Sequence, residues 1–429
     1  MPRKSAETSF PLSQIGTFCD EWRVSTLQEA CELVTDGTHD SPKETKEGFP
    51  LVTGKCIKGG MLNVSVAYLI SEEDHNNVIS RSQALKGDLL FANIGNSIGE
   101  VCRIKEEVDI SIKNLALFKP SERLDGTFLL AYLRSRKVQK FIKNTTLGSA
   151  QPFIGLGSLR AFPVPLPPLD EQKAIAHILG TLDDKIELNQ EMNQTLEDIA
   201  KAIFKSWFVD FDPVRAKAEG RPTGLPPEIS DLFPDELVDS EIGEIPWGWE
   251  VLKVKDEAIR LKIGKLYSNK TVEEDGSIPV LDQSDAGIIG YHSNDEFVSA
   301  SLENPVFTFA NHTCKMRLLF SDFGVIQNVI PIQSKSYPTI WFYLRTLGIK
   351  QFEEYKGHIP DFMDTQLCFP TVPLAKSLNR VVSPLFHRIE IAKRENKALS
   401  KLRDTLLPKL ISGELRIPDA EKFLEEAGI

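Results

Sequence analysis

Apolar residues recur every three or four positions in two long stretches of the chain. The first stripe consists of Leu182, Ile186, Asn189, Asn193, Leu196, Ala200, Ile203 and Trp207. The second consists of Leu385, Ile389, Ala392, Asn396, Leu399, Leu402, Leu406 and Leu410. This spacing is typical of a helix whose seam packs against one other long helix. The pattern therefore predicts two long paired helices; the alternative is that each helix packs only on its own globular unit.

The two stripes match each other at a constant offset of 203 residues, the difference between 389 and 186. Three pairs of seam residues are identical at this offset: Ile186 and Ile389, Asn193 and Asn396, and Leu196 and Leu399. A polar residue in an apolar seam commonly fixes its register. The helices follow two equivalent units, so we predict that these six residues line an antiparallel coiled coil. Gly180-Thr181 and Ser383-Pro384 occupy equivalent positions and predict an interruption in each helix.

The region before each stripe has a different pattern. Between residues 21 and 160, short β-type runs such as 64–70 and 115–118 are separated by Gly, Asn and Asp turns, with one helix predicted over 126–143. The same features return about 200 to 230 residues later, where Phe309-Ala310-Asn311 repeats Phe91-Ala92-Asn93. A unit of this size, repeated once, indicates a duplicated α/β (α+β) domain and a pseudo-two-fold internal repeat.

These patterns divide the chain into seven predicted segments. In order, they are an N-terminal lead-in (1–20), a first globular domain (21–160), a central helical arm (161–212), a proline-rich acidic linker (213–245), a second globular domain (246–370), a C-terminal helical arm (371–416) and a C-terminal tail (417–429).

Composition limits the class of protein. The chain has 429 residues, of which 41% are hydrophobic and 26% are charged, as in an ordinary globular protein of several domains. Six cysteines without a C-x-x-C pair predict reduced thiols in a cytoplasmic protein. No apolar run is long enough for a signal peptide or a membrane span. We therefore expect a cytoplasmic protein.

Charge is unevenly distributed along the chain. The formal net charge of −11 argues at first against nucleic acid as a partner. However, residues 113–160 contain nine Lys and Arg against two acids, whereas residues 217–244 contain two against eight. A basic run of this kind is compatible with DNA binding or with a solvated helix face. Charge alone does not decide between these two interpretations.

Motifs for catalysis are absent from the sequence or stand in the wrong context. Gly95-x-Ser97-x-Gly99 matches a nucleophile elbow, but a strand follows it where the elbow requires a helix. The chain contains no phosphate-binding G-x-x-x-x-G-K-[ST] motif, and its seven histidines form no metal-binding pair. We therefore predict no catalytic residue, no bound metal and no cofactor on this chain.

Four segments carry a family resemblance. They are Ala-Phe-Pro-Val-Pro-Leu-Pro-Pro-Leu-Asp-Glu-Gln-Lys-Ala-Ile-Ala-His-Ile-Leu (161–179), Leu-Leu-Pro-Lys-Leu-Ile-Ser-Gly-Glu-Leu-Arg (406–416), Asp-Ser-Glu-Ile-Gly-Glu-Ile-Pro-Trp-Gly-Trp-Glu-Val (239–251) and Thr-Asp-Gly-Thr-His-Asp (35–40). Together they resemble the specificity (S) subunits of Type I restriction–modification systems. The second arm departs from the pattern, since Pro373-Leu374-Ala375-Lys376-Ser377 stands where the first has Pro-Pro-Leu-Asp-Glu-Gln.

The resemblance implies a function in host defence. The two globular domains would be target recognition domains, each reading one half of a bipartite, interrupted DNA site. The helical arms would set the gap and dock two methyltransferase (modification) subunits, with restriction/translocase subunits in the full complex. S-adenosylmethionine would bind the methyltransferase partner, and ATP and Mg would bind the restriction partner. The alternative is a two-headed protein-interaction scaffold without DNA contact, which the acidic composition favours.

Candidate contacts with double-stranded DNA are polar and basic residues in the predicted loops, because such side chains bind phosphates and base edges. In the first domain they are Thr38, Lys43, Lys55, Lys58, Asn93, Asn96, Ser97, Lys113, Ser149 and Gln151. In the second they are Lys262, Lys265, Asn269, Gln283, Asn311, Lys315, Arg317 and His358. For each of them, an ordinary turn or surface role is the alternative.

Overall fold

A computed structural model describes residues 18–145, 152–284, 286–352, 354 and 356–426 of the chain. The strands that precede residue 169 are β1 (Arg23–Thr26), β2 (Cys31–Asp36), β3 (Phe49–Val52), β4 (Ile57–Lys58), β5 (Met61–Leu62), β6 (Tyr68–Ile70), β7 (Leu89–Ala92), β8 (Val101–Arg103), β9 (Ser111–Ile112), β10 (Leu115–Pro120) and β11 (Pro163–Leu166). The helices are α1 (Leu27–Ala30), α2 (Glu72–Ser82), α3 (Gly126–Arg134), α4 (Arg136–Thr145), α5 (Leu156–Arg160) and the long α6 (Leu169–Phe208).

The remaining elements follow α6. The strands are β12 (Leu237–Ser240), β13 (Gly243–Pro246), β14 (Glu250–Lys253), β15 (Ala258–Arg260), β16 (Leu266–Tyr267), β17 (Ile278–Leu281), β18 (Ile288–His292), β19 (Val306–Ala310), β20 (Met316–Leu319), β21 (Gly324–Ile326), β22 (Val329–Ser334) and β23 (Gln366–Phe369). The helices are α7 (Asp212–Ala218), α8 (Pro227–Ser230), α9 (Val254–Glu257), α10 (Thr339–Thr346), α11 (Ile359–Asp364), the long α12 (Val372–Ser412) and α13 (Ile417–Glu426).

The chain forms two compact units. The first combines residues up to Glu187 with residues from Asn396 onward, whereas the second is the continuous stretch from Leu188 to Glu395. Each long helix therefore contributes one half to each unit. No helix in the described ranges is both long and apolar enough to cross a membrane.

The first unit is built on an antiparallel sheet of order β2-β10-β7-β8. Alternate residues of its central strand β10 face two apolar clusters: Ala116 and Phe118 lie in one, and Leu115 and Leu117 in the other. Both faces of this strand are buried, which explains its continuous apolar sequence. A smaller sheet of order β6-β3-β9 and the pair β1-β11 complete the strands, together with the hairpin β4-β5.

The second unit repeats this arrangement. Its antiparallel sheet has the order β15-β22-β19-β20, and its smaller sheet contains β18, β17 and β21, with β16 added at the edge. In both small sheets the middle strand is antiparallel to one neighbour and parallel to the other. The pair β14-β23 corresponds to β1-β11. The predicted duplication of an α/β (α+β) domain is confirmed.

The long helices run antiparallel within each unit. In the first unit, the side-chain amide of Asn396 donates to the carbonyl of Ile186 at 3.3 Å, and Ile186 packs in the same core as Leu399. In the second, Leu196 and Ile389 share one core. Thus the early half of α6 meets the late half of α12, and the late half of α6 meets the early half of α12. The predicted antiparallel pairing is confirmed, and both helices also pack on their globular units.

The predicted interruptions of the two helices are wrong. Helix α6 continues through Gly180 and Thr181, and α12 continues through Pro384. Proline removes one backbone hydrogen bond and crowds the preceding turn. The neighbouring side chains of Val382 and Phe386 are buried in the core, and their packing maintains the helix across that position. Gly180 lies beside Thr127 of α3 and allows the two helices to approach closely.

The segment 213–245, predicted as a linker, belongs to the fold of the second unit. It forms α7, α8 and the hairpin β12-β13. Phe233 and Ile245 are buried in the same core as Trp207 of α6. Its prolines do not disrupt these helices, because Pro213 and Pro227 stand in first turns, where an amide proton has no helical partner. Proline content therefore marks helix starts here, not a connection between separately folded parts.

Two distant segments close the first unit. The amide of Cys19 donates to the carbonyl of Ser412 at 2.9 Å. Gly413 adopts φ +74, and a side chain there would meet Cys19 and the ring of Trp22. The indole of Trp22 donates to the carboxylate of Glu171 at the start of α6 at 3.1 Å. The start and the end of the described chain are thus held in the same unit.

Candidate nucleic-acid interface

The first unit brings two predicted DNA-contacting residues together at the end of its small sheet. Thr38 forms a parallel bridge with Lys113, and the amide of Thr38 donates to the carbonyl of Ile112 at 3.0 Å. The hydroxyl of Thr38 accepts from the amide of Asp40 at 3.1 Å. The ammonium of Lys113 donates to the hydroxyl of Ser41. The loop is therefore ordered by its own polar groups, and Lys113 is half-buried among them.

Four other candidates of the first unit lie around one hairpin. Lys55 is in a short 3₁₀ turn directly before β4, and Lys58 is the last residue of β4. Gly54 lies against Ser97, so the turn with Asn96 and Ser97 packs beside the turn with Lys55. Lys55, Lys58 and Asn96 are exposed, whereas Ser97 is half-buried. Exposed lysine and amide groups at neighbouring turns are suited to contact phosphates and base edges.

Asn93 has a structural role in the first unit. Its side chain is 1% exposed, and its amide donates to the carbonyl of Ile154 at 3.3 Å. Its backbone carbonyl accepts from the amide of Ile154 at 2.9 Å. Asn93 therefore attaches the end of β7 to the segment that follows residue 151. A base contact would require its side chain to leave this position.

Asn311 has the same role in the second unit. Its carbonyl accepts from the amide of His358 at 2.8 Å, and its side-chain oxygen accepts from the amide of Ile359 at 2.8 Å. His358 is 2% exposed, and its ring nitrogen lies 3.1 Å from the carbonyl of Glu354. Asn311 and His358 thus form a structural contact that orders the start of α11.

Three further candidates lie at the turn between β17 and β18 and at the hairpin β19-β20. The guanidinium of Arg317 donates to the carbonyls of Asp282, at 3.1 Å, and Ser284. The side chain of Gln283 accepts from the amide of His312 at 2.9 Å. Lys315 is half-buried at the start of β20. Arg317 and Gln283 therefore order these loops, which limits their freedom to reach a ligand.

The other candidates of both units are on exposed loops. Lys262, Lys265 and Asn269 are exposed, as is Lys43 in the first unit. The ammonium of Lys265 lies 5.5 Å from the centre of the Tyr267 ring, which is a cation–π distance. Ser149 and Gln151 lie outside the described residues. The assignment of individual DNA contacts stays a prediction for all of these residues.

Sequence reasoning did not select His39 and His312, which lie within the same loop clusters. The ring of His39 lies 3.0 Å from side-chain oxygens of both Asp36 and Asn114. The ring of His312 lies 2.9 Å from the carbonyl of Lys356. The position of His39 directly after Thr38 could have selected it as a candidate. Nothing in the sequence places His312 beside Gln283.

One cluster combines serine, histidine and aspartate, the residue types of a hydrolase active site, but a substrate has no access to it. The hydroxyl of Ser111 lies 3.0 Å from one ring nitrogen of His75, and the other nitrogen lies 3.1 Å from the carboxylate of Asp109. Ser111 and His75 are both buried, so a substrate cannot reach them. Burial also raises the pKa of the Cys102 thiol to about 12, which disfavours the reactive thiolate. In the described part of the chain, no cluster of three or more His, Cys, Asp or Glu could hold a metal.

Comparison with known proteins shows what the chain is similar to. Residues 19–198 match the family model described as the Type I restriction modification DNA specificity domain. The chain is 26% identical over 405 residues to the HindI specificity subunit of Haemophilus influenzae, covering 77% of this chain and 87% of that protein. It is 24% identical over 450 residues to the MjaIX specificity subunit of Methanocaldococcus jannaschii, covering 96% and 98%. The chain is thus similar to Type I specificity subunits over most of its length.

A solved structure supports the fold. The crystal structure of the Type I restriction–modification S subunit from M. genitalium has a TM-score of 0.52 with this chain, at 15% identity. It covers 91% of this chain and 96% of that one. The likeness in fold therefore extends over both units and both long helices.

Proposed function

We propose that this chain gives DNA sequence specificity to a Type I restriction–modification complex, with each unit reading one half of a bipartite, interrupted site. The observation that carries the proposal is the repeated sheet order, β2-β10-β7-β8 and β15-β22-β19-β20, in a chain whose residues 19–198 match the Type I DNA specificity domain. Two similar folds with different loop sequences are suited to read two different half-sites. Two readers on one chain also bind more tightly than either alone, through effective concentration.

The proposed DNA-contacting surface of each unit consists of its exposed loops. In the first unit they include the exposed Lys55, Lys58 and Asn96, and in the second the exposed Lys262 and Lys265. Lysines would contribute phosphate contacts, and side-chain amides would contribute base-edge contacts. The chain itself is non-catalytic, so methyl transfer would be performed by a partner that holds S-adenosylmethionine. ATP and Mg would bind the restriction partner.

The long helices are the proposed docking surface for two methyltransferase subunits, with restriction/translocase subunits in the full complex. Within the second unit, Leu188 and Ile199 of α6 are 60% and 43% exposed, and Ile391 of α12 is 51% exposed. Apolar side chains on a helix face are suited to helix-in-groove contacts with a protein partner. Such a complex would act on DNA in the cytoplasm. A protein scaffold without DNA contact is not favoured, because the relatives are restriction-enzyme specificity subunits.

The decisive experiment is methylation mapping of the host genome with and without this chain. We expect a bipartite motif with a fixed gap that disappears when the chain is deleted and returns when it is restored. Exchange of residues 21–160 for those of a related subunit should change one half-site only. Methylation that is identical in the presence and absence of the chain would contradict the proposal.

The helices are also proposed to set the gap between the half-sites. Asn189 of α6 faces Glu395 of α12 at 3.1 Å, so positions 194 and 390 face each other by the same register. Insertion of seven residues at both positions adds two helical turns, about 10 Å. The gap should then grow by about three base pairs, at roughly 3.4 Å each, while both half-sites keep their bases. A changed half-site with an unchanged gap would contradict this role of the helices.

A further inference from the structure

The hairpin β4-β5 in the first unit has Ile57 buried in the core, and its turn contacts the side chain of an arginine. Gly59 and Gly60 form its turn with φ +61 and +89, as a two-residue turn of type I′ requires. The guanidinium of Arg134, the last residue of α3, donates to the carbonyl of Gly59 at 3.1 Å. A Cβ at Gly60 would lie 2.7 Å from Arg134 Cζ, so the guanidinium packs directly against this turn. Arg134 thus fixes the position of the exposed Lys58.

Asp183 of α6 holds Arg134 in turn. One carboxylate oxygen lies 3.0 Å from Nη1 of Arg134, and the other lies 2.7 Å from Nη1 of Arg403 on α12. The three side chains are 24%, 30% and 21% exposed in the order Arg134, Asp183 and Arg403. Burial lowers the pKa of Arg403, but the hydrogen bond and charge of Asp183 offset this effect, so the pKa lies above its ordinary value. Partial burial strengthens such pairs relative to exposed ones.

The described part of the second unit shows no equivalent of this connection. Arg345 occupies the position of Arg134 in the repeated Tyr-Leu-Arg sequence, but its Nε donates to the carbonyl of Cys368 at 3.0 Å. At the offset of the helical stripes, Phe386 replaces Asp183. The repeat therefore does not require an arginine–aspartate pair to form its fold. Its presence in the first unit alone indicates a task beyond folding.

We infer that Asp183 and Arg134 are positioning residues for DNA specificity, which fix the β4-β5 hairpin relative to the paired helices. This inference rests on the proposed function of the first unit. Arg134 reaches the hairpin through the carbonyl of Gly59, and Asp183 orients Arg134 while Arg403 orients Asp183. A displacement of the hairpin would shift the register of Lys58 on the DNA backbone, and the base-contacting side chains of this unit would lose their alignment with the bases that they read.

The first test measures the hairpin directly in the full-length chain. In Asp183→Asn, the amides of residues 57–62 should exchange hydrogen about tenfold faster, since the turn loses its restraint. Asp184→Asn is the matched control, because Asp184 follows Asp183 directly on α6 but pairs with Lys105, which lies just after β8. The control should leave exchange at 57–62 unchanged. Equal exchange in both variants would overturn the inference.

The second test maps methylation by the complete complex containing each variant. Asp183→Asn should relax discrimination about tenfold at one half-site, the equivalent of one weakened base contact. The other half-site and the gap should not change, and Asp184→Asn should keep the wild-type motif. A uniform fall in methylation without relaxed specificity would indicate a merely structural role and overturn the inference.

Two further variants keep the outcome decisive. Gly60→Ala disturbs the contact with Arg134 from the hairpin side, because its Cβ would meet the guanidinium. Arg134→Lys keeps the charge but loses the fixed geometry of the guanidinium. If Asp183→Asn fails to fold, relaxed specificity in these two supports the inference, and an unchanged motif in both overturns it. If the wild-type chain directs no bipartite methylation, the proposed function fails instead.

Discussion

The two units share one strand order but join their globular parts to the helices by different chemistry. In the first unit, ion pairs add to the apolar packing of α6 on the globular part. Asp183 of α6 binds Arg134 and Arg403, and Lys105 lies 2.9 Å from Asp184. Ion pairs of this kind depend on geometry and are weakened by salt. The first junction therefore gives a directional attachment.

In the second unit, the corresponding junction is aromatic. Phe320, which follows β20, lies 6.3 Å from the ring centre of Phe386 and 6.2 Å from that of His387 on α12. The ring of His387 also lies 3.3 Å from the carbonyl of Leu302. Apolar burial depends on area and little on direction. Two units with the same strand order thus contact their helices through ion pairs in one case and aromatic rings in the other. The strand order alone therefore does not determine how a globular part is attached to its helices.

The strongest expected effect tests the aromatic junction. Phe386→Ala should destabilise the second unit by about 3 to 5 kcal/mol, because it removes a buried ring and leaves a cavity. Urea unfolding measured at low and at high salt should give a similar loss, since no ion pair is removed. Phe352→Ala is a matched control on an exposed ring and should have little effect. A loss of stability that depends strongly on salt would contradict an apolar junction.

Arg403→Met tests the ionic junction of the first unit. The substitution keeps the aliphatic stem but leaves Asp183 with only Arg134, so we expect a loss of about 1 to 3 kcal/mol at low salt. At about 1 M salt the Debye length is roughly 3 Å, and the difference from wild type should shrink. Thermal unfolding at several salt concentrations measures this effect. A loss that is independent of salt would show that packing, not charge, holds the junction.

Alkaline pH should weaken both units, because burial raises the pKa of the Cys31 and Cys102 thiols in the first and of the Cys368 thiol in the second. Each pKa rises from an ordinary 9.0 to about 12. The unfolded chain therefore loses these protons first, and stability should fall as pH rises from about 9 to about 12. The slope is at most about 1.4 kcal/mol per pH unit for each thiol. Cys102→Ala should show a shallower pH dependence of unfolding; an unchanged slope would exclude this thiol as a cause.

The smallest effect concerns the outer ion pair of the first unit. The side chains of Lys105 and Asp184 are 54% and 69% exposed, so solvent screens their attraction. Lys105→Met should cost less than about 1 kcal/mol, clearly less than Arg403→Met under the same conditions. Thermal unfolding of the two variants in parallel gives the comparison. A larger loss for Lys105→Met would mean that the ionic junction is centred on Lys105, not on Asp183.

Sequence periodicity was sufficient to predict the duplication and the antiparallel helices, because burial imposes the same spacing on both copies. Local propensity failed at Pro384, where burial of Val382 and Phe386 maintains the helix. It also failed in 213–245, where proline-rich composition predicted a linker but buried side chains such as Phe233 anchor the segment. Tertiary packing overrides weak local preferences in both cases.

The candidate DNA contacts were harder to predict than the fold. Asn93 and Arg317 have residue types that suit base contacts, yet both are engaged with carbonyl groups of their own unit. The partner of Asn93 is Ile154, 61 positions away in the chain. The spacing of residues in a sequence does not show where a side chain points. It also does not identify a hydrogen-bond partner that is 61 positions away. The exposed loop candidates, such as Lys58 and Asn96, keep both the residue type and the access that were predicted.

The closure of the first unit by distant segments has a consequence for synthesis. The second unit, Leu188 to Glu395, is continuous, so it can complete its core as soon as it leaves the ribosome. The core of the first unit includes Leu399, Leu406 and Leu410, which are made after the whole second unit. The first unit, although made first, must wait with an open apolar face until the end of α12 arrives. Order of translation and order of folding are therefore reversed in this chain.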